Sequence, residues 1–201
     1  MYLLDLLFPP RTDESIARDV SADEFLALLS PQLVTSTIPT TVALLPFSHS
    51  HVRAMIHEAK YHGSPHAFAL LSFALTEYLR DADDTGRTPI LIPVPLGKAR
   101  REDRGFNQVE ELVRYAEKFC GGEIDTSLLI RVRETVSQVS LPKAEREANM
   151  RGAFGAAHPA DPARTYIVID DVITTGATLQ AAIDALTEAG ARHIIPLALA
   201  H

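Results

Sequence analysis

Residues 166–180 read YIVIDDVITTGATLQ: an apolar run, two adjacent carboxylates, and a turn rich in threonine and glycine, in that order. Tyr166–Ile169 has the short, continuous apolar character of a strand buried on both faces. From Ala177 the period changes, with Leu179, Ala182, Ile183 and Leu186 at helical spacing ahead of Gly190. A turn therefore opens a helix directly after a buried strand, and backbone N–H groups at such a turn converge on an anion. Gly176 permits a positive φ or a close approach, and the hydroxyls of Thr174, Thr175 and Thr178 add donors. Thr174, Thr175, Gly176, Ala177 and Thr178 thus form a cradle for a phosphate dianion. Asp170 and Asp171 stand just upstream, where they would repel that phosphate unless they face hydrogen-bond donors or a cation. Sugar hydroxyls and a divalent cation both meet that need. The order points to a ribose 5-phosphate, its hydroxyls on the acids and its phosphate in the loop. Each element alone is ordinary, since strands end in aspartates and threonines cap helices; together, after a buried strand, they favour a site. A Walker A loop would need Gly-Lys-Ser/Thr and a dinucleotide fingerprint three spaced glycines, and neither is present.

Working outward, the same alternation recurs. PILIPVP (residues 89–95) reads as a buried strand, FNQVEELVRYAEKF (106–119) as a helix, LLIRV (128–132) as a candidate next strand, and HIIPLALA (193–200) as a closing strand. Upstream, Val52, Met55, Ile56 and Ala59 share one helical face, and Phe68, Leu71, Leu75 and Tyr78 share another, the two helices being split by YHGSP. Alternating strands and helices predict an α/β fold with a mostly parallel, twisted sheet flanked by helices on both faces. Ligands of such sheets gather at the carboxyl ends of the strands, where residues 170–178 fall.

The 201 residues suit one substantial domain with a small appendage, and 46% hydrophobic residues can fill its core. Ser21 and Glu24 have capping-box spacing, so a short helix starts there, whereas residues 31–41 show no helical period and read as an extended connector. The expected division is a short N-terminal helical arm over 1–44 and the main domain over 45–201. MYLLDLLFPP lacks a basic leader and is stopped by Pro9 and Pro10, which reads as a packing arm; no stretch is long enough for a membrane span. The net charge of −7 argues against direct DNA binding through the global field. A single cysteine, Cys120, excludes an internal disulfide and a thiolate zinc site and suits a reducing cytoplasm. His49, His51, His57, His62 and His66 crowd together, but Gly63 and Pro65 break the helix that would align His62 with His66, and no recognised zinc pattern is met.

VIDDVITTGAT resembles the phosphoribosyl pyrophosphate (PRPP) motif of the type I phosphoribosyltransferases, and IPVPLGKARREDRGFNQVEELV resembles the corresponding strand and Arg-Gly-Phe-Asn-Gln element of the ComF-like members, associated with DNA uptake in competent bacteria. HVRAMIHEAKYHGSPHAF, ETVSQVSLPKAEREANMRGAF and the opening LLDLLFPPR are similar to that family as well. The resemblance implies a type I phosphoribosyltransferase fold binding PRPP or a related ribose phosphate with Mg²⁺. It implies that Asp170 and Asp171 hold the ribose hydroxyls and, indirectly, the metal, and that Thr174–Thr178 hold the 5-phosphate. Pro95, Leu96, Lys98 and Arg104, with Arg100 and Arg101 beside them, fall on the family's pyrophosphate loop, and Gln138, Arg146 and Asn149 on its flexible hood; exposed surface charge is the ordinary account of the same residues. Lys60 matches a family motif and could reach a phosphate. Gly97 stands where the family has a histidine, and residues 12–34 lack the four cysteines of the family's zinc ribbon, so no zinc is expected and the competence role is put in doubt. Two classes stay open: a pentosyl transferase acting on a nitrogen acceptor, and a non-catalytic PRPP-binding or competence accessory protein working through protein partners. A homodimer is compatible with both.

Overall fold

The computed structural model describes residues 11–81, 89–120, 122–135 and 148–201. Among them, a six-stranded sheet runs in the order β1-β2-β8-β7-β3-β4, from β1 (Gln32–Val34), β2 (Thr41–Leu45), β3 (Ile90–Pro93), β4 (Glu123–Ile124), β7 (Thr165–Val172) and β8 (His193–Ala200). Every pairing is parallel except β1 with β2. The α/β architecture and mostly parallel sheet expected from the sequence are therefore present.

Helices cover both faces because the strands are buried on both. In β7, Ile167 and Ile169 join one core while Tyr166 and Val168 join the other; in β8, Leu197 and Leu199 oppose Ala198 in the same way. The first core is filled by α1 (Thr12–Arg18), α2 (Ala22–Leu26), α3 (Ser50–His62), α4 (Pro65–Asp81) and α6 (Gln108–Cys120); the second is filled chiefly by α7 (Ala177–Glu188). Ser21 and Glu24 form the expected capping box on α2. Helix α3 ends at Gly63, a left-handed C-cap with φ 59°, and Pro65 opens α4 at the position where a missing N–H costs nothing.

Three expectations change. The connector at 31–41 carries β1 and the start of β2, and the expected division at 44/45 falls inside β2, because β1 needs the β2 edge for its hydrogen bonds. Residues 128–132 do supply a strand, β5 (Leu129–Arg131), but it pairs antiparallel with β6 (Phe154–Ala156) in a separate two-stranded sheet. On the side of β3 away from β7, the parallel neighbour is instead the two-residue β4. Finally, KARREDR folds into α5 (Lys98–Arg104), a helix with no buried residue and too short to show a period in sequence.

Candidate functional site

Asp170 and Asp171 close the carboxyl end of β7 and, with Thr174 and Thr178, line a cleft of about 580 Å³. Period-2 alternation continues past the core, so Asp171 lies on the face of Ile167 and Ile169, toward α3 and α6, and Asp170 lies on the opposite face. Asp171 is the better supported. Its Oδ2 accepts from Gln108 Nε2 at 2.8 Å and sits 3.3 Å from Lys60 Nζ, and its Oδ1 accepts the Val172 N–H at 2.7 Å. Burial pushes this carboxyl up, but the Lys60 charge and those two hydrogen bonds outweigh it and hold it below the usual range. Asp170 has less compensation, its Oδ1 accepting the Asp171 N–H at 2.9 Å. Burial, then the Asp171 charge, push it up to about 7.

The Thr-Gly turn forms the second half of the site. Gly176 caps α7 with φ 80°, and a Cβ there would lie 2.6 Å from Ser36 Oγ and 2.9 Å from Thr37 Cγ2. Both the left-handed backbone and the close approach of residues 36–37 require glycine. Gln180 fastens the same junction, accepting the Ile38 N–H at 2.8 Å. In front of this backing, the backbone from Ile173 to Leu179 curves around a hollow of about 40 Å³, with Thr175 Oγ1 accepting the Ala177 N–H at 3.4 Å. Thr174, Thr175, Gly176, Ala177 and Thr178 are thus gathered where the sequence placed them.

Each residue of Arg104–Gln108 has a distinct structural task. Arg104 Nη1 donates to Gln108 Oε1 at 3.1 Å and its guanidinium stacks 5.0 Å from the Tyr61 ring. That bond orients the Gln108 amide so that its Nε2 faces Asp171. Gly105 ends α5 with φ 79°. Phe106 meets Phe68 edge-on at 6.0 Å. Buried Asn107 donates to the Val94 carbonyl at 3.0 Å and accepts the Val109 N–H at 3.1 Å, so one side chain caps α6 and ties it to the end of β3. Gln108 and Lys60 therefore enter the site as supports of Asp171. Lys60 follows Ile56 by four residues, so it extends a core stripe up to the carboxylate.

The expected pyrophosphate loop is only partly in place. Pro95, Leu96, Arg100 and Arg104 line the cleft. Lys98 does not: its side chain is 82% exposed beside Glu102, and its N–H is taken by Glu134 Oε1 at 2.7 Å. Gly97 permits this, since a Cβ there would lie 2.7 Å from Glu134 Oε2. A cation the sequence reasoning overlooked stands nearby. Arg131 lines the cleft with a buried, unpartnered Nε, and burial, then the neighbouring Arg100 charge, lower its pKa. Arg100 and Arg131, close enough for the first charge to lower the second's pKa, both line the cleft, which suits a polyanion. In the hood, Gln138 and Arg146 lie outside the described residues. The Asn149 carbonyl accepts from Arg133 at 2.8 Å, and the neighbouring Met150 reaches the cleft.

No family model matches the chain. Curated relatives do. The DNA utilization protein YhgH of Salmonella typhi is 33% identical over 129 residues, covering 62% of this chain and 56% of that relative. Competence protein F of Haemophilus influenzae is 32% identical over 121 residues, 58% and 53% of the two chains. The Bacillus subtilis competence protein ComFC is 36% identical over 101 residues, 50% and 39%. The chain spans about half the length of the first curated relatives it matches. Among solved structures, a hypoxanthine phosphoribosyltransferase from Staphylococcus aureus overlaps 65% of the chain and 61% of its own at a TM-score of 0.40 and 12% identity. Glutamine PRPP amidotransferase from B. subtilis overlaps 71% of this chain and 30% of its own at 0.44 and 18%. Overlaps that loose carry no argument, and the likeness rests on sequence: over 101–129 residues this chain is similar to DNA utilization and ComF-type competence proteins.

Proposed function

We propose that the cleft binds PRPP, or a related ribose 5-phosphate, together with Mg²⁺. One observation carries this: an acidic pair at a strand end and a glycine-capped helix N-terminus meet in one cleft whose far wall supplies Arg100 and Arg131. The loop from Thr174 to Thr178 would hold the 5-phosphate, Asp170 and Asp171 the ribose hydroxyls, and the two arginines the pyrophosphate. The residues present fit a cation held indirectly. Lys60, Gln108 and the Val172 N–H already occupy Asp171, while Asp170 carries a burial cost that nearby positive charge relieves. Bound Mg²⁺ would neutralise charge on the pyrophosphate.

If the protein transfers the sugar, an acceptor nitrogen forms a bond to C1 as the C1–O bond breaks and pyrophosphate leaves with the electron pair, the acceptor's surplus proton passing to solvent. The relatives' names, DNA utilization and competence proteins, favour a second reading in which the same pocket serves an accessory role in DNA uptake through protein partners. Calorimetric titration with PRPP and Mg²⁺ should give saturable binding for the wild type and lose it in Asp170→Asn/Asp171→Asn. Absence of saturable binding by the wild type contradicts both readings. Pyrophosphate release across a panel of bases and amines then separates a transferase, which releases it with at least one acceptor, from an accessory protein, which does not.

A further inference from the structure

Outside the proposed PRPP site, helix α3 carries a group of side chains with the chemistry of a metal centre. His57, Glu58 and His62 each bring one ligand atom to within 4.8 Å of the others. Glu58 and His62 are one helical turn apart, with Glu58 Oε1 3.9 Å from His62 Nε2, and His57 precedes Glu58 directly. The sequence had drawn attention to His62 and His66; α3 ends at Gly63, between them, and the helix selects a different trio.

The surroundings favour a cation. His62 is the last residue of α3, so the group sits toward the end of the helix where the macrodipole is negative. Glu58 is 5% exposed, and Asp13 Oδ2 approaches His57 Nδ1 to 3.1 Å without the alignment of a hydrogen bond. Arg11 now neutralises Glu58 at 3.1 Å, but its side chain is 52% exposed and Glu14 lies 3.5 Å from the same guanidinium, so the arginine has a second partner to retire to.

We propose that His57, Glu58 and His62 bind a divalent transition-metal ion of the zinc class. Two imidazoles and a carboxylate are the borderline donor set that suits Zn²⁺ and Co²⁺ over Mg²⁺, and three protein ligands leave a coordination position open. His57 also lines the cleft, whereas Glu58 and His62 line a separate hollow with Arg11 and Glu14. This inference is independent of the PRPP reading.

Titration of the full chain with Zn²⁺ alone, followed by calorimetry, with Co²⁺ as a visible-absorption probe, is the test. The expected result is one saturable ion per chain with a Kd of about 10 μM or tighter. His62→Ala and Glu58→Gln each weaken it by about a hundredfold. Arg11→Ala, which removes the competing cation, tightens it. Asp170→Asn/Asp171→Asn leaves it unchanged. His62 is exposed at a helix end and Glu58→Gln keeps shape, so melting temperatures near the wild type verify that both variants fold. Failure of the wild type to bind one Zn²⁺ overturns the proposal, as does binding that survives both ligand variants or that disappears with the two aspartates.

Discussion

At the end of β7 the strand's alternation sends Asp171 toward Lys60 and Gln108 and leaves Asp170 on the opposite face, so the pKa values of the adjacent carboxyls move in opposite directions. Asp170 holds its proton up to about 7 in the folded chain, against a usual value of 3.8. Between those two pH values the folded state binds a proton that the unfolded state has released, so this group's contribution to stability falls as pH rises. Asp170→Asn should remove that slope and raise stability at about pH 8 by at most a few kcal/mol. Urea unfolding of wild type and variant at about pH 5 and 8 measures it. A variant less stable than wild type at the higher pH contradicts the assignment. Gln108 acts on the neighbour: Gln108→Leu takes away the 2.8 Å donor to Asp171 and leaves Lys60 as the remaining side-chain partner. PRPP affinity should drop about tenfold and stability by about 1–2 kcal/mol, read by calorimetry and urea titration.

Among the elements, the turn before α7 has the least tolerance. Gly176→Ala meets both a φ of 80° and Ser36 Oγ at 2.6 Å, and should cost about 1–3 kcal/mol while displacing the phosphate cradle. Thermal unfolding and ribose 5-phosphate binding check the two effects together. The parts of the site legible in the sequence were those encoded locally: the apolar run of β7, the acids at its end and the turn that follows fall within residues 166–180. What escaped was encoded by packing over distance. Gln108 reaches Asp171 only because Asn107 ties α6 to the end of β3, and Lys60 only because α3 packs in the same core as Ile167 and Ile169. Lys98 misled for the opposite reason: chain proximity to Arg104 put it on the loop, while a neighbouring carboxylate, Glu134, occupies its amide. The residues of β1 looked like a connector because an edge strand of three residues shows too few alternations to register as a period.

The whole molecule carries a net charge of −7, yet Arg53, Lys60, Arg100, Arg104 and Arg131 line a cleft whose acids are Asp170 and Asp171. A cationic cleft in an acidic surface concentrates field lines and draws in a small polyanion while repelling long nucleic-acid backbones from the rest of the surface. PRPP binding should therefore weaken as NaCl rises from about 50 to 500 mM, and more steeply than binding of free ribose, as isothermal titrations at each salt would show. No helix among the described residues is long and apolar enough to cross a membrane. The central claim is that residues 170–178 are a ribose-phosphate site, and amide hydrogen exchange with and without PRPP and Mg²⁺ tests it most directly. Exchange should slow across Asp170–Thr178 and the loop after β3. Unchanged exchange in Asp170–Thr178 at saturating ligand would contradict the account.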